Sequence, residues 1–182
     1  MMYSPMGNSR EGHVRAVAQQ VLRDARVTVP EVPVQRLVGD HGLAITACDI
    51  PRGWGYFDPT AWAIRLAPGI MDETPANRNR RRFTLAHELG HCLLEHGEAS
   101  CWNLGIAAEP SDLGEEDDFP DFEREAHHFA RELLLPRPWL ARDWAVNPNP
   151  EQLAKQYGVS RETLFIVLID RRLLMRPVKR RR

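Results

Sequence analysis

The sequence predicts an α+β fold in which a small three-stranded antiparallel sheet packs on two long helices. Residues 43–67 contain three short segments with the alternation of half-buried strands, separated by turn-forming Pro, Gly and Asp residues. Residues 75–96 and 121–135 then carry apolar side chains at helical spacing. Two shorter helical segments follow with the look of a helix-turn-helix pair. Segregated strands and helices are typical of the α+β class.

The elements before the sheet follow from their end signals. Ser9 is a suitable N-cap for a helix over about 10–25, whose apolar residues form one stripe. Pro33 suits the first turn of a short helix, which Gly39 or Gly42 can end.

The sheet and the first long helix come next. Residues 43–50 form one strand, and an Asp-Pro-Thr turn joins two more. Thr74 as N-cap and Pro75 at the first helical position begin the long helix, and Gly97 is expected to end it.

The chain divides into a main domain and short additions. We expect a disordered N-terminus at 1–8, a main domain at 9–145, a helical subdomain at 146–175 and a basic tail at 176–182. Within the main domain, residues 98–119 form a long acidic connection. A loop of this length inside a compact domain is usually functional or disordered.

Composition and charge weigh against several classes of function. Of the 182 residues, 43% are hydrophobic and 27% charged, and the net charge is −1, so no overall field attracts nucleic acid or an anionic membrane. No segment approaches the ~18 apolar residues of a membrane span, and the first residues lack the apolar core of a signal peptide. The three cysteines form no CxxC pair, as is typical of a reducing compartment. We therefore expect a cytoplasmic protein that does not bind membranes.

The motif His-Glu-x-x-His lies within the first long helix, at His87, Glu88 and His91. Residues four apart project from one side of a helix, so the two imidazoles can bind one zinc ion. Glu88 points about a quarter-turn away from His87 and can act as a base toward the water that zinc activates. The motif therefore predicts a metal-dependent hydrolase.

A catalytic zinc site needs a third protein ligand, and the second long helix supplies the best candidate. Glu123 lies three residues before Ala126 on an apolar stripe, where an acid is costly unless it is paired or metal-bound. Glu125 and His127 remain alternatives. His96 is a further alternative, although a histidine at a helix C-terminus is also favoured by the helix dipole.

The two blocks RRFTLAHELGH and EREAHHFARELLLP resemble the ImmA/IrrE family of metallopeptidases, and the resemblance extends over about residues 30–175. It implies a gluzincin-like domain built on a zincin-type helix, with His87, His91 and Glu123 as ligands and Glu88 as base. It further implies cleavage of a helix-turn-helix transcriptional repressor, which would release stress-response or mobile-element genes. One departure is His127, where the family usually has Asn or Asp. This departure bears on the metal, for which Zn²⁺ is expected and Mn²⁺ is the alternative.

Several roles stay open at this point. His127, His128 and Tyr56 are candidates for supporting a ligand or stabilising the oxyanion. The strand at 61–67 is expected to line the cleft and pair with an extended peptide. Direct DNA binding by the C-terminal helices is disfavoured, because Phe165 would lie near the recognition face.

The alternative to an enzyme is a non-catalytic, metal-containing module that sequesters a repressor. Glu88 argues against it, because a module that only binds has no need of a base beside the metal.

Overall fold

The computed structural model describes residues 8–51, 53–96 and 120–174 and contains three strands and seven α-helices within those ranges. In chain order these are α1 (Asn8–Asp24), α2 (Val34–Asp40), β1 (Ala44–Ala47), β2 (Gly55–Asp58), β3 (Ala63–Leu66), α3 (Pro75–Leu93), α4 (Asp121–Leu134), α5 (Arg137–Val146), α6 (Pro150–Tyr157) and α7 (Arg161–Asp170). The predicted α+β class is confirmed.

Three predicted segments fall largely or wholly outside the described residues. These are the N-terminus apart from Asn8, which begins α1, the acidic connection at 98–119, and the basic tail at 176–182. Among the helices that the structure describes, none is both long and apolar enough to cross a membrane.

The sheet is mixed, which corrects the prediction of a purely antiparallel sheet. Its order is β1-β3-β2, with β2 antiparallel and β1 parallel to β3. The cause is the connection at 48–54, whose Pro51 and Gly53 do not form a tight hairpin. It carries the chain to the far side of β3, and the short turn at 59–62 then returns β3 between the other two strands.

The central position of β3 overturns a second expectation. Both edges of β3 are already paired, so the strand predicted at 61–67 has no free backbone groups to offer a peptide. The edges of the sheet belong to β1 and β2.

Helix α3 begins as predicted and ends earlier than predicted. The side chain of Thr74 accepts a hydrogen bond from the backbone N–H of Asn77 at 3.4 Å. At the other end, Glu95 adopts a left-handed conformation with φ of 57°, which reverses the chain before Gly97. Gly97 itself lies outside the described residues.

Helix α3 packs against α4 with almost no space between them. Gly90 faces Phe129, and a Cβ at Gly90 would lie 2.9 Å from Cδ1 of that ring. Side chains along both helices are buried in the core, including Phe83, Leu89 and Leu133. The two helix backbones can therefore approach closely only because position 90 has no side chain.

The C-terminal helices are held to α3 by an arginine. Arg82 donates to the backbone oxygens of Gly158 at 3.0 Å and Tyr157 at 3.4 Å, where α6 ends. Gly158 has a left-handed φ of 63°, and Ser160 then caps α7 as predicted, accepting from the N–H of Thr163 at 3.1 Å. The helix-turn-helix-like pair and α3 thus form one continuous packing unit.

The close approach of α3 and α4 can be tested with two glycine variants. Gly90→Ala and Gly12→Ala both gain the helix propensity of alanine, but only the first inserts a methyl group against Phe129, whereas Cβ at Gly12 meets nothing within 4 Å. We expect Gly90→Ala to be less stable than Gly12→Ala by about 1–3 kcal/mol in the free energy of unfolding, the cost of overpacking a core. Urea denaturation of the metal-free proteins measures the difference, and equal stabilities would contradict the packing described.

Candidate metal centre

Two histidines of α3 project together into the interface with α4. His87 and His91 lie four residues apart, and their side chains are 1% and 2% exposed. The two Nε2 atoms are 2.9 Å apart. The helical spacing predicted from the motif therefore brings both ring nitrogens to one point inside the protein.

Glu123, in the first turn of α4, meets this pair. Its Oε2 lies 3.1 Å from Nε2 of His87, and its Oε1 lies 3.4 Å from Nε2 of His91. One ligand atom from each of the three residues lies within 4.8 Å of the others. The position of Glu123 follows from the apolar stripe of α4, in which Ala126 and Phe129 are fully buried.

The ionisation of Glu123 is set by opposing effects. Burial alone would raise the pKa of this carboxyl, but hydrogen bonds and charge interactions with His87 and His91 outweigh it and hold the pKa well below its ordinary value. A buried carboxylate of this kind requires a positive charge beside it. A bound cation or a protonated imidazole meets that requirement.

The donor set fits a divalent metal. Two imidazole nitrogens and one carboxylate are the protein ligands of one well-known type of catalytic zinc site, which leaves a further position open. The three residues converge from two helices that pack closely against each other, and each is buried. They would therefore hold a metal without rearrangement of the backbone.

Glu88 interacts with two of the three candidate ligands, His91 and Glu123, and is not part of the group whose ligand atoms converge. Its carboxylate is buried and accepts a hydrogen bond from the backbone N–H of Phe57 in β2. Burial raises the pKa of Glu88 to about 7, against the opposing effect of His91, with a further increase from the charge of Glu123 and a decrease from the Phe57 N–H. This acid is thus close to the ligands and poised to exchange a proton near neutral pH.

Comparison with known proteins agrees with this geometry. The model of a peptidase family described as the IrrE N-terminal-like domain matches residues 56–166, more than half of the chain. This chain belongs to that family. The match includes the His-Glu-x-x-His motif and Glu123, so the predicted resemblance is confirmed.

A search of solved structures gives 11 matching chains. One of them, described as a Mycobacterium tuberculosis transcriptional regulator, has a TM-score of 0.60 and 19% sequence identity, over 95% of this chain and 51% of that one. The IrrE-like chain therefore spans about half the length of that protein, and the likeness supports the fold. No curated protein matches this chain.

Two of the alternative ligands in this IrrE-like domain lie outside the group of three. His96 contacts the far side of His91, with 2.9 Å between the two Nδ1 atoms. Glu125 contacts His96, with 3.3 Å between Oε2 and Nε2, and forms an ion pair with Arg10 of α1. His96 therefore adjoins a candidate ligand and Glu125 adjoins His96, and neither belongs to the group whose ligand atoms converge.

The remaining candidates are distributed over three places. His127 is buried beside His87, with ring centroids 4.5 Å apart. His128 interacts with charges on α1 and α4, chiefly Glu132 and Glu11. Tyr56 hydrogen-bonds with Cys48. The structure brings His127 beside His87, whereas the interactions described for His128 and Tyr56 are with residues outside the group of three.

Two features of the site were not foreseen from sequence. The hydrogen bond from the Phe57 N–H to Glu88 cannot be predicted from the sequence, because any residue supplies the same backbone group. The contact between His96 and His91 does have a signal, since the two are five residues apart across a helix end, the separation that a left-handed C-terminal cap brings together.

Replacing single ligands tests the metal centre. His87→Ala, His91→Ala and Glu123→Ala should each lose stoichiometric zinc after purification and dialysis, because two ligands cannot hold a site built from three. Elemental analysis at micromolar protein measures occupancy. His127→Ala, at a buried histidine beside His87, is the comparison and should retain zinc at that concentration. Full occupancy in the first three variants would refute the assignment.

Proposed function

We propose that this chain is a zinc-dependent metalloendopeptidase that cleaves a specific protein, a helix-turn-helix transcriptional repressor. The observation that carries the proposal is the position of Glu88. Its buried carboxylate interacts with His91 and Glu123 of the group of three candidate ligands. Its hydrogen bond, however, comes from the backbone N–H of Phe57 in β2. A site that only bound metal would gain nothing from burying this further acid.

The proposed roles divide the chemistry among the residues of the site. His87, His91 and Glu123 hold the metal, with Mn²⁺ as the alternative to zinc. When bound, zinc polarises the scissile carbonyl and lowers the pKa of the attacking water toward ~7. Glu88 takes the proton from that water and can return it to the leaving amine. A positive charge at the ligand group favours the ionised form of Glu88, the form that a base requires.

We propose that an extended substrate binds along the edge of β2 that faces away from β3. Hydrogen bonding alternates along antiparallel strands, and the Phe57 N–H points away from β3 toward Glu88. No described strand pairs with that edge. A peptide laid along β2 would pass directly by Glu88, so β2 takes the role that the sequence suggested for β3.

The proposed substrate class rests on the family of this chain and on its net charge rather than on the geometry of the site. The chain belongs to the IrrE-like peptidase family, and a structural neighbour is described as a transcriptional regulator. The near-neutral net charge does not favour direct DNA binding, so a regulatory role would act through a protein partner. We place this activity in the cytoplasm, in keeping with the cysteine usage.

The variant Glu88→Gln separates an enzyme from a binding module. Glutamine keeps the size of the side chain and an acceptor for the Phe57 N–H but cannot take a proton. We expect the variant to fold, bind zinc and bind the repressor, while cleavage falls by about 10²–10⁴-fold, the usual contribution of general acid–base catalysis. The measurement is a time course of repressor cleavage, followed by electrophoresis at equal zinc loading.

Glu73→Gln is the matched control, since the same substitution at an exposed glutamate outside the site should leave cleavage unchanged. Equal cleavage by Glu88→Gln and the original protein would eliminate Glu88 as the base. Binding of the repressor by both proteins with no cleavage by either, in zinc or in manganese, would favour the sequestering module.

A further inference from the structure

Two hydrogen bonds and an ion pair, in series, lead from His91 to the surface of the protein. Nδ1 of His91 lies 2.9 Å from Nδ1 of His96, and Nε2 of His96 lies 3.3 Å from Oε2 of Glu125. The other oxygen of Glu125 pairs with Nε of Arg10. The side chains of His96 and Glu125 are only 5% and 4% exposed, whereas Arg10 is 63% exposed. The series therefore joins a buried ligand to a charge in solvent.

The backbone places His96 against His91. The N–H of His96 donates to the carbonyl of His91 at 3.1 Å, and the N–H of Glu95 donates to that of Cys92 at 3.3 Å. With Glu95 in the left-handed region, these bonds form a Schellman motif, whose last residue folds back over the residue five positions earlier. That contact is usually apolar, and here it joins two imidazoles.

The chemistry of the atoms determines which one donates and which one accepts in each of these hydrogen bonds. An ionised carboxylate only accepts hydrogen bonds, so Nε2 of His96 must carry the proton that it shares with Glu125. A neutral His96 then has a lone pair on Nδ1, which accepts from Nδ1–H of His91. A neutral His91 protonated on Nδ1 has its free lone pair on Nε2, the atom that faces Glu123 and His87.

We propose that His96 and Glu125 are positioning residues for His91, and that they fix its ring and its tautomer so that Nε2 is ready to bind the metal. This inference rests on the metal centre of the proposed function and not on the identity of the substrate. The opposite direction of hydrogen bonding would place a proton on Nε2 of His91 and block the ligand. The guanidinium of Arg10 pairs with the other oxygen of Glu125.

The support is specific to one of the two histidine ligands. Among the described residues, Nδ1 of His87 has no hydrogen-bond partner, while Nδ1 of His91 has His96. The series therefore acts on His91 alone, and its removal weakens the site without emptying it.

Zinc affinity measured by competition with a chelating indicator tests the proposal. His96→Leu removes the acceptor, and Glu125→Ala removes the group that orients it, so each should weaken zinc binding by about 10–100-fold, as is usual for groups that support a ligand. His96→Asn should recover most of this loss, since its amide oxygen can accept from Nδ1–H of His91. Arg10→Gln should weaken binding at most about fivefold, because the arginine is exposed.

Exposed residues provide matched controls. His13→Leu and Glu162→Ala make the same changes at exposed positions and should leave zinc affinity unchanged. Circular dichroism and thermal unfolding of the metal-free variants establish that each is folded. Unaltered affinity in His96→Leu or Glu125→Ala would overturn the proposal, as would His96→Asn binding as weakly as His96→Leu. Failure of the original protein to bind zinc would instead refute the metal centre, and this inference with it.

Nitrogen NMR of the imidazole rings reports the direction of hydrogen bonding independently of affinity. In the zinc-loaded protein we expect the proton of His91 on Nδ1 and that of His96 on Nε2. Glu125→Ala should leave His96 without this fixed tautomer. A proton on Nδ1 of His96 in the original protein would overturn the proposal even if the affinities changed as expected.

Discussion

The contact between Gly90 and Phe129 is the constraint on which the site depends. It sets the distance between α3 and α4, and only at that distance can one carboxylate on α4 reach two imidazoles on α3. The candidate ligands come from separate parts of the sequence, but both helices that carry them pack in the core, so their geometry is determined by packing rather than by a loop. The core and the candidate metal centre are in this sense one structure.

Three buried glutamates near the site have the same side chain but different partners. Glu123 faces two imidazoles, Glu88 faces a strand N–H, and Glu125 lies between His96 and Arg10. Each charge has its own compensation, which burial makes necessary. All three carboxylates lie in or near the interface of α3 and α4, where burying each one costs free energy that its partners must offset.

Sequence reasoning reached the local features and missed several that depend on distant pairing. The helix bearing His87 and His91, its Thr74 cap and the burial of Glu123 all follow from periodicity and end signals. The parallel pairing of β1 with β3 does not, because alternation identifies a strand without naming its neighbour. The end of α3 was misplaced because Glu95, a residue without the freedom of glycine, adopts the left-handed conformation there, at a cost of about 1–2 kcal/mol. The contacts of His96 with His91 and Glu125 depend on that turn, so they could not be predicted without it.

The junction between Arg82 and Gly158 has an evolutionary consequence. Position 158 is restricted twice, once by its left-handed φ and once because a Cβ there would lie 2.8 Å from Nε of Arg82. The left-handed φ would remain even if Arg82 moved aside, so glycine is favoured at position 158 whatever residue stands at position 82. A module that replaced the C-terminal helices would have to present two backbone oxygens at the same place to keep the hydrogen bonds of Arg82, on the helix that bears His87 and His91.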